Sequence, residues 1–144
     1  ATATVFGWIM VNERISDIMI AMLFTISQNK WVIMIMINLI LLFLGCFMES
    51  ASIMIITVPI FVPIITKLGF DPVYFGVVLT LNIMIGTLTP PVGLVLYITA
   101  HIAELSLTKA IREILPFYIP LIISLIIIIF IPWITMVLPN LLMK

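Results

Sequence analysis

The sequence predicts an all-α, polytopic membrane protein, and three observations support that prediction. Of the 144 residues, 65% are hydrophobic and 8% are charged, and the mean hydropathy is +1.44. Soluble domains are about half apolar and about a quarter charged, so this composition indicates a bilayer environment. Apolar runs recur along the chain, and clusters rich in glycine and proline separate them.

The charge balance and the cysteine count exclude several classes of protein. Six basic residues match six acidic ones, so the chain has no basic surface for nucleic acid. Cys46 is the only cysteine, which excludes an intrachain disulfide and a cysteine zinc cluster and favours a packing role over a reactive one. The sequence contains no HExxH, GxSxG or Walker motif. An intramembrane protease would need a Ser–His or acid pair, which Glu49 and His101 do not make.

The first 29 residues predict two helical pieces. Residues 1–10 have the character of the end of a preceding transmembrane helix, because they are apolar and lack the basic region of a signal peptide. In residues 11–29, apolar side chains recur at three- and four-residue steps among polar ones. This pattern predicts an arm helix in the membrane interface, and a polar loop with a short helix is the alternative.

Two short apolar runs follow, residues 31–46 and 53–66, with a polar interruption between them. Each is shorter than the roughly 20 residues that a membrane crossing needs. Two arrangements remain open: two separate short spans, or a re-entrant hairpin with Glu49–Ser52 at a tip deep in the protein. We favour the hairpin, because the linker is short and Trp31 suits a membrane interface at the open end.

The most informative segment is Gly86–Gly93, GTLTPPVG, which lies between the apolar runs Val73–Ile85 and Leu94–Ile102. Its prolines cannot donate backbone hydrogen bonds, so a helix entering it must break. Irregular backbone at membrane depth occurs only inside protein or along a cavity, and in secondary transporters it holds ions and substrate. The segment therefore predicts a broken span in a transporter, with a plain proline kink as the alternative.

The remainder of the chain predicts a connector and one final span. Ser106 is a candidate N-cap, and the connector extends to Glu113. Leu115–Leu138 is the predicted span. The expected organisation is thus a transport unit over residues 30–103 and a connector with a scaffold helix over residues 104–144.

Oxygen atoms at the break and at the hairpin tip are the candidate ligands. Freed carbonyls and threonine hydroxyls are hard oxygen ligands that suit Na⁺, and half-helix N-termini favour an anion. The candidate Na⁺ ligands are Gly45, Met48, Glu49, Gly86, Thr87, Thr89 and Pro90, and the candidate substrate contacts are Ser50, Ser52, Asn82, Pro91 and Gly93. Two roles stay open for Glu49, cation binding or capping of the second hairpin helix. Asn82, with Asn38, either contacts substrate or bonds across helices.

Several segments together resemble one known family. They are Gly45–Glu49 (GCFME), Thr57–Ile60 with Val62–Pro63, Leu68–Gly76 (LGFDPVYFG) and Ile85–Leu94 (IGTLTPPVGL). These segments resemble the large membrane subunit, called DctM-like, of the tripartite ATP-independent periplasmic (TRAP) transporters, and the resemblance covers nearly the whole chain.

The resemblance implies the second of two inverted repeats in an elevator-type carrier of the ion-transporter superfamily. That plan contains an interfacial arm helix, a re-entrant hairpin, a broken span and a scaffold helix, in a multi-pass protein of the bacterial inner membrane. It also implies Na⁺-driven import of an organic acid, such as a C4-dicarboxylate or sialic acid. The implied partners are a periplasmic binding protein and a small DctQ-like membrane subunit, with Na⁺ as coupling ion, no other cofactor and no enzymatic activity.

By motif match, the Na⁺ ligands of the family fall on the same residues, Gly45, Met48, Glu49, Gly86, Thr87, Thr89 and Pro90. Two other functions remain as alternatives. One is a Na⁺/anion symporter of a related family that needs no binding protein, and the other is a membrane scaffold that transports nothing.

Overall fold

A computed structural model describes residues 15–142, and this part of the chain forms seven helices and no strand. The all-α prediction is therefore confirmed. The predicted end of a preceding helix in residues 1–10 lies outside the described residues, as does the beginning of the arm helix. The helices are Ile15–Ile26 (α1), Lys30–Phe47 (α2), Ser50–Lys67 (α3), Pro72–Leu88 (α4), Leu94–Ile102 (α5), Leu107–Phe130 (α6) and Pro132–Leu142 (α7).

Three of these helices are long and apolar enough to cross a membrane. Helices α2 and α3 have 18 residues each and α6 has 24, with mean hydropathies of 2.3, 1.8 and 2.5. At about 1.5 Å per residue, the two shorter helices are about 27 Å long, close to the roughly 30 Å hydrocarbon core. Both helices are longer than the apolar runs predicted from the sequence, because their first and last turns also include the polar or flanking residues next to each run.

Helices α2 and α3 form an antiparallel hairpin with only Met48 and Glu49 between them. At its open end, the Trp31 ring packs 5.2 Å from the ring of Phe70, which follows α3. The Lys30 ammonium lies 5.3 Å from the same Phe70 ring. Trp31, which was predicted to lie at the open end, thus packs there with Phe70 and Lys30.

Helix α4 lies at the centre of the fold. Its N-terminal half buries Tyr74, Phe75 and Val78 almost completely. Helix α2 runs beside α4 in the same direction, because Asn82 bonds to Asn38 near the middle of both helices and Gly86 meets Gly45 near the C-terminal end of both. Helix α6 runs the opposite way, since the Tyr74 hydroxyl at the start of α4 donates to the carbonyl of Ile129, near the end of α6, at 2.6 Å.

The predicted break is present but shorter than the sequence suggested. Helix α4 continues through Gly86 and Thr87 to Leu88, so these residues are helical rather than unwound. In an α-helix each carbonyl accepts from the N–H four residues later, and Pro90 is the first residue of the segment without an N–H. The Gly86 carbonyl is therefore the first in α4 that cannot make its regular helical hydrogen bond. The unwound stretch is residues 89–93, and Gly93 ends it with φ 50°, in the left-handed region that favours glycine.

The last part of the chain differs from the predicted connector and single span. Residues 107–113 already form the first turns of α6, and Ser106 takes the N-cap position without a side-chain capping bond. The predicted span is divided at Ile131, which has φ −121° and ψ 74°. Pro132 explains the division, because the residue before a proline avoids the α region and Pro132 cannot donate.

Helix α1 confirms only part of the predicted amphipathic stripe. Leu23 is buried in the core and Met19 packs against it, while Met22 and Ile26 remain mostly exposed. This helix packs against α3. Its position in the membrane interface stays a prediction.

A contact between two glycines sets the distance between α2 and α4. A Cβ added to Gly45 would lie 2.8 Å from the Gly86 Cα, and one added to Gly86 would lie 2.7 Å from the Gly45 Cα. Such distances are too short for carbon atoms, so both positions require glycine. The two backbones therefore touch at the C-terminal ends of both helices.

Replacing Gly45 with alanine is expected to separate these helices. The added methyl group has only backbone to push against, so we expect a loss of about 1–3 kcal/mol in stability. Thermal unfolding of the purified protein in detergent measures the change. Gly76→Ala is the matched control, because nothing lies within 4 Å of a Cβ at that helical position. It should stabilise by roughly 0.5–1 kcal/mol. Equal melting temperatures for the two variants would contradict the contact.

Candidate functional site

The hairpin tip and the break in α4–α5 meet, and we call residues 45–52 and 86–93 together the tip–break junction. Gly45 touches Gly86 there, as described above. The Gly93 N–H donates to the Cys46 carbonyl at 3.1 Å, a main-chain bond between the unwound stretch and the last turn of α2. The structure therefore brings together the two candidate regions that the sequence separates by about forty positions.

The junction lies part-way along α6 rather than at its end. The start of α6 packs with α5, where Ala110 joins Leu96 and Ala100 in a small apolar cluster. Tyr118 reaches the end of α4, and Ile129 reaches its start. Because α6 continues beyond the hairpin tip, this arrangement favours the re-entrant hairpin over two complete spans.

The two prolines remove specific hydrogen bonds at the end of α4. The Thr87 carbonyl would find its local donors at positions 90 and 91, and both are proline. The Gly86 carbonyl loses the donor at position 90 but accepts from the Thr89 N–H at 2.8 Å. Thr87 therefore has a main-chain carbonyl for which neither nearby residue supplies a donor.

The threonine hydroxyls at the junction bond back to their own helix. The Thr87 hydroxyl donates to the Met84 carbonyl at 2.9 Å, and the Thr89 hydroxyl donates to the Ile85 carbonyl at 2.7 Å. A hydroxyl that has given its proton keeps lone pairs for another partner. Both hydroxyl oxygens thus remain available as ligands to a cation.

Glu49 caps α3, which is one of the two roles that the sequence left open. Its carboxylate accepts hydrogen bonds from the Ala51 N–H at 3.0 Å and the Ser52 N–H at 3.1 Å. The Ser52 hydroxyl donates to it at 3.2 Å, and the Ser50 hydroxyl lies 3.5 Å away. The two backbone bonds occupy the first N–H groups of α3 and complete its cap.

Four helix ends converge at the junction. Helices α2 and α4 end there, and α3 and α5 begin there. Helix C-termini carry partial negative charge that favours cations, and N-termini favour anions. Glu49 already occupies the start of α3, whereas α5 begins at Gly93 with no side-chain capping bond. The start of α5 is therefore the end with backbone N–H groups to offer an anion.

Asn82 lies one turn before the junction and bonds across helices. Its amide nitrogen donates to the Asn38 carbonyl at 3.0 Å and to the Asn38 side-chain oxygen at 2.8 Å. Both side chains are buried, which supports the interhelical role that the sequence left open. They line an apolar cavity of about 320 Å³ between α2 and α6, and the Asn82 Oδ1 atom has no hydrogen-bond partner.

Carboxylates, histidines and thiols do not gather into a metal site. Within residues 15–142, no three His, Cys, Asp or Glu side chains come together as a metal-binding group. A cation at the junction would depend on main-chain and hydroxyl oxygens, which suits Na⁺ better than a transition metal. The remaining predicted residues lie at the same place: Met48 caps α2, and Pro90 and Pro91 occupy the break.

Sequence reasoning missed Tyr118. Its hydroxyl donates to the Leu88 carbonyl at the end of α4, which brings a fifth helix, α6, to the junction. Tyr118 stands in an apolar run between two prolines. A phenol hydroxyl in such a run needs a partner, and that requirement could have identified it.

Comparison with known proteins agrees with the resemblance. The profile of the family described as "Tripartite ATP-independent periplasmic transporter, DctM component" matches residues 1–134. The sialic acid TRAP transporter large permease SiaM of Vibrio cholerae is 42% identical over 138 residues, which are 96% of this chain and 32% of that protein. The C4-dicarboxylate large permease DctM of Pseudomonas aeruginosa is 36% identical over 140 residues, 97% of this chain and 33% of that protein.

A third relative carries the name of a different substrate. The isethionate TRAP permease DctMQ of Oleidesulfovibrio alaskensis is 35% identical over 134 residues, 93% of this chain and 21% of that protein. The chain thus spans about a third or less of the length of these relatives. The family match and the three membrane-length helices lead to one conclusion: the chain belongs to the DctM family of TRAP transporter large permeases, multi-pass proteins of the bacterial inner membrane.

Proposed function

We propose that the chain forms the second repeat of a Na⁺-coupled permease that imports an organic acid. The observation that carries the proposal is the Thr87 carbonyl, which loses both of its local donors to proline and lies near the point where the C-terminal ends of α2 and α4 meet. Both helix ends contribute partial negative charge there, and Thr87 and Thr89 lie in the last turn and at the C-cap of α4. Na⁺ is the cation that such a set of neutral oxygens suits.

The anionic substrate is proposed to bind at the start of α5. The relatives described above are named for sialic acid, C4-dicarboxylate and isethionate, and each of these compounds is an organic anion. Backbone N–H groups at a helix N-terminus bind carboxylate or sulfonate without a basic side chain. Gly93, Pro91, Ser50 and Ser52 stay the candidate contacts at this end of the junction. A cation bound a few ångströms away would strengthen binding of the anion, which couples the two solutes.

Delivery by a periplasmic binding protein and help from a small DctQ-like subunit belong to the same proposal. The family description supports both, since it names a tripartite and periplasmic transporter. The hairpin and the broken helix are proposed to move together as an elevator body, because the glycine contact and the Gly93–Cys46 bond join them. No catalytic step is proposed, and the relatives are permeases.

Two hydrogen bonds bear on whether α6 takes part in that movement. A scaffold role for α6 stays a prediction. The bonds from Tyr74 to Ile129 and from Tyr118 to Leu88 link α6 to both ends of α4. Sliding of α4 past α6 would break both bonds, so they favour a moving body that includes α6.

Thr89→Ala and Pro91→Ala should each weaken Na⁺-dependent uptake by the full assembly while leaving membrane insertion intact. The first removes a hydroxyl oxygen beside the proposed ion. The second restores an N–H that can bond to the Thr87 carbonyl and extend α4. We expect the half-saturating Na⁺ concentration to rise roughly tenfold, the equivalent of one charge-assisted hydrogen bond. Uptake in proteoliposomes at varied Na⁺ measures it.

Thr80→Ala is the control for that experiment. The Thr80 hydroxyl makes the same kind of bond, to the Gly76 carbonyl at 2.8 Å, but two turns or more before the break. Its removal should leave the Na⁺ dependence unchanged. Unaltered Na⁺ dependence in both Thr89→Ala and Pro91→Ala would refute the ion site.

Uptake by the full assembly should require its periplasmic binding protein. We expect Na⁺-driven uptake of an organic acid in proteoliposomes only when the binding protein encoded with the permease is added. Equal uptake without it would indicate the alternative, a binding-protein-independent symporter. Absence of any Na⁺-driven flux across a panel of organic acids, with all components present, would favour a scaffold that transports nothing.

A further inference from the structure

We propose that Tyr118 is a positioning residue for the cation site: its hydroxyl holds the Leu88 carbonyl, so that the Thr87 carbonyl alone is left for the ion. The inference rests on the proposed function, because it concerns the same site. It adds a residue from α6, which lies outside both the hairpin and the break.

The local chemistry of the break explains why Leu88 needs an outside donor. Pro91 removes the nearer of the two local donors for the Leu88 carbonyl, and the chain turns away at Thr89 before a regular bond can form. Tyr118 supplies the donor from a neighbouring helix. Thr89 is the next residue along the chain, so Tyr118 holds the carbonyl directly before a proposed ligand.

The count of unpaired carbonyls at the end of α4 depends on this one bond. Ile85 and Gly86 accept from the hydroxyl and the N–H of Thr89, and Leu88 accepts from Tyr118. Thr87 is the remaining member of the last four carbonyls. Without the Tyr118 hydroxyl, two adjacent carbonyls would lack donors. Both would then compete for the ion or for water, and the spacing of the oxygens around the ion would change.

The chain provides a matched control for a purely structural role. Tyr74 also donates its hydroxyl to a main-chain carbonyl across the α4–α6 interface, at Ile129. That bond lies at the other end of α4, near the hairpin mouth. Tyr74→Phe and Tyr118→Phe therefore remove the same chemical group from the same helix pair, and only one of them touches the junction.

The test compares both variants with wild type and Thr89→Ala in the full assembly, in proteoliposomes. Half-saturating Na⁺ concentration, the ratio of uptake with Na⁺ to uptake with Li⁺, and thermal stability are measured for each. Tyr118→Phe should raise the half-saturating Na⁺ concentration roughly threefold to tenfold and change the Na⁺/Li⁺ ratio. Tyr74→Phe should change neither, although both variants lose similar thermal stability. The double variant Thr89→Ala/Tyr118→Phe should be less impaired than the product of the single effects.

Each outcome decides a separate point. If Thr89→Ala shifts the Na⁺ dependence and Tyr118→Phe behaves as Tyr74→Phe does, the positioning role is wrong and the site stands. If neither Thr89→Ala nor Pro91→Ala shifts the Na⁺ dependence, the proposed site itself fails. The positioning role would also be wrong if the rise in half-saturating Na⁺ concentration in the double variant equalled the product of the rises in the two single variants. Failure of Tyr118→Phe alone to insert would contradict it as well, since the residue would then be structural.

Discussion

The absence of an N–H on Pro90 and Pro91 is the constraint on which the rest of the structure depends. Two consecutive residues without donors end α4 and deprive the Thr87 carbonyl of its local partners. Inside a membrane, an unpaired carbonyl costs free energy unless protein, ion or water approaches it. The surrounding elements pair the other main-chain groups of the break: the Cys46 carbonyl accepts from the Gly93 N–H, and Tyr118 of α6 donates to the Leu88 carbonyl.

Local patterns in the sequence were sufficient to predict the features that depend only on neighbouring residues, namely the helix break, the turn of the hairpin and a helix cap. The paired prolines predict the break within a few residues, and the polar group at 48–52 predicts the turn between α2 and α3. Glu49 as a cap was one of two stated options, because a carboxylate just before a helix serves its first N–H groups. These features need no knowledge of distant residues.

Features that depend on distant residues could not be predicted in this way. The Gly45–Gly86 contact requires the parallel packing of α2 on α4, and neither glycine differs locally from any other. The end of α6 at Phe130 was missed because its unbroken apolar run concealed the effect of Pro132, while Pro116 and Pro120 are tolerated within the helix. Charged residues near Ser106 suggested a connector, yet they form the first turns of α6, since charge alone does not stop a helix at a membrane surface.

The bond between Gly93 and Cys46 uses only main-chain atoms, and this has a practical consequence. Position 46 contributes a carbonyl, which every amino acid possesses, while its thiol makes only a long 3.3 Å contact with the Leu42 carbonyl of its own helix. Cys46 is the sole sulfhydryl in the chain. An alanine there keeps the bond and removes the one thiol from these 144 residues, so that single cysteines can be placed among them for spin or fluorescent labels that report on movement of the hairpin.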